Sequence, residues 1–230
     1  ALTVVVHKNN TWANSITVQE LKKLWEPEAQ GKIMTWKQVR ADWPDKPIKL
    51  FGAGVDSGTF DYFTEAIVGK EKASRGDFTS SEDDNVLVQG VAHDLYALGF
   101  FGMAYYEENT DKLKALAIDD ENEANGKGPQ LPSLETVVAD VYKPLARPLF
   151  IYTRKDAAQI PLVQKFVTFY LKNAPALSRE VGYVPLQENV YKLALARFDS
   201  GTTGSIMAGK HSQAGRFLWG PPSGAPGQGE

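Results

Sequence analysis

The segment Gly52-Ala53-Gly54-Val55-Asp56-Ser57-Gly58-Thr59-Phe60-Asp61-Tyr62-Phe63 decides how this sequence is interpreted. It follows a short β-type run at residues 48–51 and continues as an amphipathic helical pattern over residues 60–68, which stops at Gly69. A helix that begins at Ser57-Gly58-Thr59 presents unpaired N–H groups, two hydroxyl donors and the positive end of its dipole at one point. Phosphate and similar oxyanions bind to such donors. The alternative is an ordinary helix start, with Ser57 or Thr59 as the N-cap and Asp61 stabilising the first turn.

Strand and helix patterns alternate on both sides of this segment. Residues 2–6 predict a buried strand, and a helix capped by Thr17 carries Val18, Leu21 and Trp25 on one face before Pro27 ends it. Further along the chain the pattern predicts a helix at 86–93, a strand at 98–103, a short apolar run at 113–118 and a surface loop at 119–133. This alternation predicts an α/β fold.

The order of several longer segments resembles a known family, the phosphate-binding protein of bacterial high-affinity phosphate ABC transporters. The segments that carry the resemblance are Val4-Val5-Val6, Ser15 to Leu21, Ile33-Met34-Thr35-Trp36, Asp56 to Ile67, Ala73 to Asn85, Gly90 to Asp94, Ala97 to Gly102 and Arg147-Pro148-Leu149-Phe150-Ile151-Tyr152. They extend over residues 1–205, and their order is more informative than any one of them.

The resemblance implies a fold of the type II periplasmic-binding-protein class, with two α/β lobes joined by crossing strands. Residues 8–147 would form the second lobe with the Ser-Gly-Thr anion site. Residues 1–7 and 148–217 would provide the hinge strands and the C-terminal part of the first lobe, and residues 218–230 a flexible tail. Family members have further chain before the position of Val4, with a first phosphate loop and an acidic ligand, so the first lobe is expected to be incomplete here.

The C-terminal part is expected to expose apolar surface. A strand is predicted at 148–152, and helical faces follow at 160–170 and 190–198. These faces need a sheet to cover them, and in the family that sheet belongs to the first lobe. The implied mechanism is closure of the two lobes about crossing strands near residues 4–7 and 149–153, with phosphate held between them.

The resemblance also implies the phosphate ligands. The Ser57-Gly58-Thr59 segment contacts phosphate directly in the family, and many members have an arginine shortly before that serine, where this chain has Ala53. Arg75 is the candidate substitute, because it lies in a polar loop after the site helix and a guanidinium suits bidentate oxyanion contact. The alternative for Arg75 is a surface ion pair with one of the nearby carboxylates, which are Asp77, Glu82, Asp83 and Asp84.

Two carboxylates flank the turn. A carboxylate can accept the proton that phosphate, unlike sulfate, still carries near neutral pH, and Asp61 is the candidate for this role. Stabilisation of the helix N-terminus is an equally open interpretation of Asp61. Asp56 is interpreted as a turn residue.

Composition limits the other classes of function. The chain has 230 residues, a formal charge of −3, a pI near 5.7 and no cysteine, which argues against nucleic-acid binding and excludes thiolate chemistry. No apolar run is long enough to span a membrane. Asp56-Ser57-Gly58 is similar to the nucleophile segment of serine proteases, but the match is incomplete. Gly204 to His211 is likewise an incomplete match to a nucleotide-binding phosphate loop. The three histidines are too far apart in sequence to indicate a metal site.

The predicted protein is therefore a monomeric, non-enzymatic solute-binding protein in the periplasm or another extracytoplasmic space, with no cofactor or metal. It would capture inorganic phosphate and deliver it to the membrane permease of an ABC transporter. Two alternatives stay open: a truncated module with an interaction role and no phosphate capture, or a receptor for another oxyanion such as sulfate or molybdate.

Overall fold

The computed structural model describes residues 1–204, which form an α/β fold around a five-stranded sheet. The strands are β1 (Leu2–His7), β2 (Ser15–Thr17), β3 (Lys49–Ala53), β4 (Thr79–Ser81), β5 (Ala97–Gly102), β6 (Leu113–Ala115) and β7 (Ala117–Asp119). The helices are α1 (Val18–Trp25), α2 (Trp36–Val39), α3 (Gly58–Phe63), α4 (Asp84–Ala92), α5 (Met103–Glu107), α6 (Leu134–Val138), α7 (Pro161–Glu180) and α8 (Glu188–Asp199). The predicted tail at 218–230 and nearly all of the phosphate-loop-like segment at 204–211 lie outside the described residues.

The main sheet has the strand order β4-β3-β5-β1-β6. Strand β3 is parallel to β4 and β5, whereas β1 is antiparallel to β5 and β6. A second sheet pairs β2 with β7 in parallel. Residues 2–7, predicted to belong to the hinge, are thus an inner strand of the sheet that carries β3.

Both faces of the sheet are buried. In β1 the side chains of Val4 and Val6 pack into the larger core cluster, while Val5 packs into a smaller cluster with α4. This alternation follows from the two-residue period of a strand. Because both faces are covered, the middle of β1, Val4-Val5-Val6, is a continuous apolar run.

Helix α1 begins where the sequence predicts. The Glu20 N–H donates to Thr17 Oγ1 at 3.0 Å, and the Glu20 carboxylate accepts from the Thr17 N–H at 2.9 Å, which completes a capping box. Its last residue, Trp25, is fully buried against the edges of Phe63, Phe78 and Phe100. Burial of this large side chain fixes α1 against the sheet.

Helix α3 confirms the predicted strand-loop-helix order. It begins at Gly58, two residues before the predicted start, and continues as a π-helical turn over Thr64–Val68. Gly69 ends it with a φ of +90°, a conformation that a side chain would strain.

Two sequence predictions need correction. The apolar run at 113–118 is not one element, because β6 joins the main sheet and β7 joins β2. The strand predicted at 148–152 is absent: these residues form no ladder in the described chain, and Leu149 and Tyr152 are 68% and 78% exposed. A strand requires a partner edge, and the described residues supply none at this position.

The predicted C-terminal helices are present as α7 and α8, and they leave apolar side chains exposed as expected. Leu162, Phe166 and Leu193 are each more than half exposed. Val167 and Ala174 on α7 are buried. Only part of the apolar surface of these helices is therefore covered within the described residues.

Candidate functional site

The candidate site lies at the carboxyl edge of the three parallel strands. Ala53 at the end of β3 is in register with Ser81 at the end of β4, and the Gly54 N–H continues the pairing to the Ser81 carbonyl at 3.1 Å. Strand β1 starts at the same edge, because Leu2 is in register with Gly102 at the end of β5. Ligands of open α/β sheets bind outside this edge of the sheet.

The Ser57-Gly58-Thr59 turn projects from the end of β3. The Ser57 N–H donates to the Gly54 carbonyl at 3.0 Å, which closes the loop. Ser57 is the N-cap of α3, and its Oγ accepts from the Thr59 N–H at 3.1 Å. The Gly58 N–H has no partner inside the helix by geometry, and Gly58 is exposed. The three predicted donors therefore lie together at the start of α3, with Gly58 exposed and Ser57 and Thr59 half-buried.

Asp61 lies one helical turn further along α3. Its N–H donates to the Ser57 carbonyl at 3.1 Å. Its Oδ1 atom is buried without a hydrogen-bond partner among the described residues, and Lys72 Nζ lies 3.9 Å from it. Asp61 Oδ1 thus makes no hydrogen bond within residues 1–204 and has Lys72 as its ion-pair partner. Asp56, in contrast, is exposed in the loop.

Arg75 is not placed for anion binding. Its side chain is only 2% exposed, and its Nε and Nη2 atoms donate to the two oxygens of Asp77 at 2.5 and 2.8 Å. Its Nη1 atom donates to the carbonyls of Leu24 and Ile33 at 3.1 and 2.8 Å. The buried Arg75 guanidinium is thus occupied by Asp77 and by backbone carbonyls, which argues against the predicted role of Arg75 as an anion ligand.

Arg147 is a cation in direct contact with the turn, and the sequence did not predict it as a site residue. Its Nη2 atom donates to the Gly58 carbonyl at 3.2 Å, and its guanidinium carbon lies 4.3 Å from the centre of the Tyr62 ring. Tyr62 is itself buried, and its hydroxyl donates to the Pro144 carbonyl. The only signal in the sequence was the position of Arg147 at the start of one of the segments that carry the family resemblance, immediately before the strand predicted at 148–152.

Three acidic residues follow β4 at the same edge. The Glu82 carboxylate packs directly on Gly54, where an added Cβ would come within 1.9 Å of Glu82 Oε1. Asp83 caps α4 by accepting from the Asn85 N–H at 2.9 Å. Burial raises the pKa of Asp84, and the neighbouring charges of Asp83 and Glu82 raise it further. The surroundings of the turn are therefore acidic, with Arg147 as a nearby positive charge.

The edge opens into a large groove of about 1540 Å³. Its lining includes Thr59, Tyr62, Asp84 and Arg147, together with many apolar side chains of residues 148–204. An anion at the turn would lie beside this groove, next to Thr59 and Arg147.

Other chemistry has little support in the described residues. They contain no group of histidine and acidic side chains suited to a metal ion. The His7 and His93 rings hydrogen-bond locally, to the Asn9 N–H at 3.0 Å and to the Gln89 carbonyl at 2.7 Å. No helix in this part of the chain has the length and apolar character required to cross a bilayer.

Comparison with known proteins places the chain in a family. A family profile described as "PBP superfamily domain" matches residues 1–174. The chain belongs to the PBP superfamily. The predicted periplasmic-binding-protein-like α/β fold is thereby confirmed.

Individual relatives agree with this assignment. The chain is 52% identical over 211 residues to "Protein SphX" of Synechocystis sp., covering 91% of this chain and 61% of that protein. It is 34% identical over 194 residues to "Phosphate-binding protein PstS" of Staphylococcus haemolyticus, covering 83% of this chain and 57% of that protein. The chain thus spans about three fifths of the length of these curated relatives.

A solved structure shares the fold at substantial sequence identity. It is the crystal structure of "a possible phosphate binding protein" from Planctomyces limnophilus, with a TM-score of 0.75 and 42% identity. The match covers 88% of this chain and 70% of that one.

Proposed function

We propose that this chain belongs to an extracytoplasmic solute-binding protein that captures inorganic phosphate and delivers it to the membrane permease of an ABC transporter. The observation that carries the proposal is the Ser57-Gly58-Thr59 helix start at the carboxyl edge of the sheet, where Gly58 is exposed between two half-buried hydroxyl residues. It occurs in a chain related to proteins named for phosphate binding. The protein would act by binding and release and not by catalysis.

The chemistry of the turn fits an oxyanion. Two hydroxyl groups and the Gly58 N–H donate hydrogen bonds without adding a formal charge, and the helix dipole favours a negative ligand. Gly58 has no side chain to obstruct the approach of the anion to the backbone. The turn would therefore donate hydrogen bonds to one side of a bound phosphate.

The acidic surroundings favour phosphate over sulfate. Near neutral pH phosphate still carries a proton that a carboxylate can accept, whereas sulfate carries none and would be repelled. Asp61 has an acceptor oxygen without a hydrogen-bond partner among the described residues, so we assign it this discriminating role.

Isothermal titration calorimetry with phosphate tests the proposal. Ser57→Ala and Thr59→Val should each weaken binding by roughly 1–3 kcal/mol, the cost of removing a hydrogen bond to a charged group. Thr79→Val, an exposed threonine on β4, is the matched control and should leave binding unchanged. Ser57→Ala also removes an N-cap, so its stability is measured by urea denaturation and its binding is assayed well below the unfolding midpoint.

The same titrations separate the competing functions. Saturable heat with phosphate and none with sulfate or molybdate supports phosphate capture. Saturation with sulfate or molybdate in place of phosphate would make the protein a receptor for another oxyanion. A folded sample that binds none of the three would leave an interaction role without phosphate capture.

A further inference from the structure

We propose that Arg147 supplies the positive charge for an anion bound at the Ser57-Gly58-Thr59 turn. The proposal rests on the proposed function, and it assigns a further phosphate ligand that is 89 positions from Gly58 in the sequence. The starting point is a deficit of positive charge: Ala53 is buried and apolar at the end of β3, and Arg75 is enclosed with Asp77. A doubly charged anion without a cation would depend on dipoles alone, in surroundings that are already acidic.

Arg147 has spare capacity to bind. One Nη2 hydrogen bond goes to the Gly58 carbonyl at 3.2 Å. A guanidinium has five N–H donors, so most of them remain available. The side chain is exposed, and among residues 1–204 no carboxylate forms an ion pair with it. Because Arg147 has no carboxylate partner among these residues, it can bind an anion without first breaking an ion pair.

The position of Arg147 is fixed by packing. Its guanidinium lies over the ring of Tyr62 at 4.3 Å, a cation–π contact. The ring is held in turn, because Tyr62 is buried and its hydroxyl donates to the Pro144 carbonyl. The preceding residues Leu145 and Ala146 are also buried. The charge is therefore held beside Gly58 before any ligand arrives, which lowers the entropy cost of binding.

Arg147 also connects two parts of the molecule. It is the first residue after the buried Leu145-Ala146 pair and precedes the exposed segment 148–153 that leads to α7. An anion that contacts both Arg147 and the turn after β3 would link this connecting segment to α3. The bound anion would then restrict the motion of residues 148–153, the segment that connects the sheet to α7 and α8.

Phosphate titration of wild type, Arg147→Ala and Arg147→Lys tests the proposal. Removal of a charged hydrogen-bond donor should weaken phosphate binding at least about tenfold in Arg147→Ala. Lysine keeps the charge but not the bidentate geometry, so Arg147→Lys should fall between the two. The matched control is Arg154→Ala, since Arg154 is an exposed arginine on the same segment, paired with Asp156, and its loss should not change the affinity.

Chemical modification of arginine tests directly whether phosphate contacts Arg147. Phosphate should protect Arg147 from modification by phenylglyoxal, as mapped by mass spectrometry, while Arg154 in the same sample stays reactive. A purely structural arginine would show no such protection.

The outcomes separate this inference from the proposed function. If Ser57→Ala weakens binding but Arg147→Ala does not, and phosphate gives no protection, the role of Arg147 is overturned while phosphate capture stands. If the wild-type chain binds no phosphate, both proposals fail. Loss of affinity in Arg147→Ala together with protection of Arg147 supports the inference.

Discussion

Replacement of Asp77 by asparagine should destabilise the fold without affecting phosphate binding. The Arg75 side chain is 2% exposed and forms two hydrogen bonds with the Asp77 carboxylate, at 2.5 and 2.8 Å. Asp77→Asn removes the negative charge and leaves the guanidinium buried with the carbonyls of Leu24 and Ile33 as its strongest partners. The variant thus separates a structural role of Arg75 from a ligand role.

The magnitude follows from the burial of the two partners. Loss of one member of a buried pair costs about 3–5 kcal/mol, but Asp77 is 28% exposed at its side chain and the two carbonyls remain. Solvent screening at Asp77 lowers the expected cost to about 2 kcal/mol. That loss is large compared with the effect of an exposed carboxylate, which is within about 0.5 kcal/mol.

The pH dependence provides an independent check. The hydrogen bonds from Arg75 lower the pKa of Asp77 from 3.8 to about 2. A lowered pKa means that the ionised carboxylate stabilises the folded state above pH 4, and that this contribution is lost as the pH falls towards 2. The stability difference between wild type and Asp77→Asn should therefore be largest near neutral pH and shrink over this acidic interval.

Urea denaturation followed by tryptophan fluorescence gives the unfolding free energy, and calorimetry gives the phosphate affinity. Asp111→Asn serves as the control, because Asp111 is exposed and has no ion pair within residues 1–204. Unchanged stability with a lower phosphate affinity in Asp77→Asn would refute the structural assignment and return Arg75 to the anion site.

Three further changes test other parts of the structure. Gly90→Ala should destabilise by about 1–3 kcal/mol in urea denaturation, because its new Cβ would come within 2.2 Å of the Phe51 ring; a gain in stability would show that the ring moves aside freely. Tyr142→Phe removes the buried hydrogen bond to the Leu2 carbonyl at 2.8 Å and should cost about 1 kcal/mol, with a neutral result counting against that bond. Burial raises the pKa of Asp84, so ionisation of this carboxylate destabilises the folded state. The unfolding free energy of Asp84→Asn relative to wild type should therefore rise between pH 3 and pH 6. A difference that does not change with pH would contradict the raised pKa.

Local features were predictable because they depend on neighbouring residues. Thr17 caps α1 as predicted, and Ser57 caps α3 next to Gly58 as the turn chemistry indicates. Gly69 ends the helical segment in the left-handed conformation that glycine permits. Each of these involves residues only a few positions apart.

Features that depend on distant residues were not predictable. Arg147 meets Gly58 across 89 positions, and no periodicity relates the two. Arg75 occupies a polar loop, but its guanidinium donates to the carbonyls of Leu24 and Ile33, which lie 51 and 42 positions away. The apolar stretch at 148–152 has the composition of a strand, yet a strand forms only where a free edge is available, and that information is not local.

The place of β1 within the sheet has a consequence for how the chain acquires its structure. This strand lies between β5 and β6, and Thr3 hydrogen-bonds to Phe101 across 98 positions. Bringing such remote segments together costs on the order of 4 kcal/mol of loop-closure entropy, and folding slows as contacts become more distant in sequence. During synthesis β1 is made before both of its neighbours in the sheet, so its apolar side chains stay unprotected until β5 and β6 have also been made. In that interval a chaperone has an exposed segment to bind.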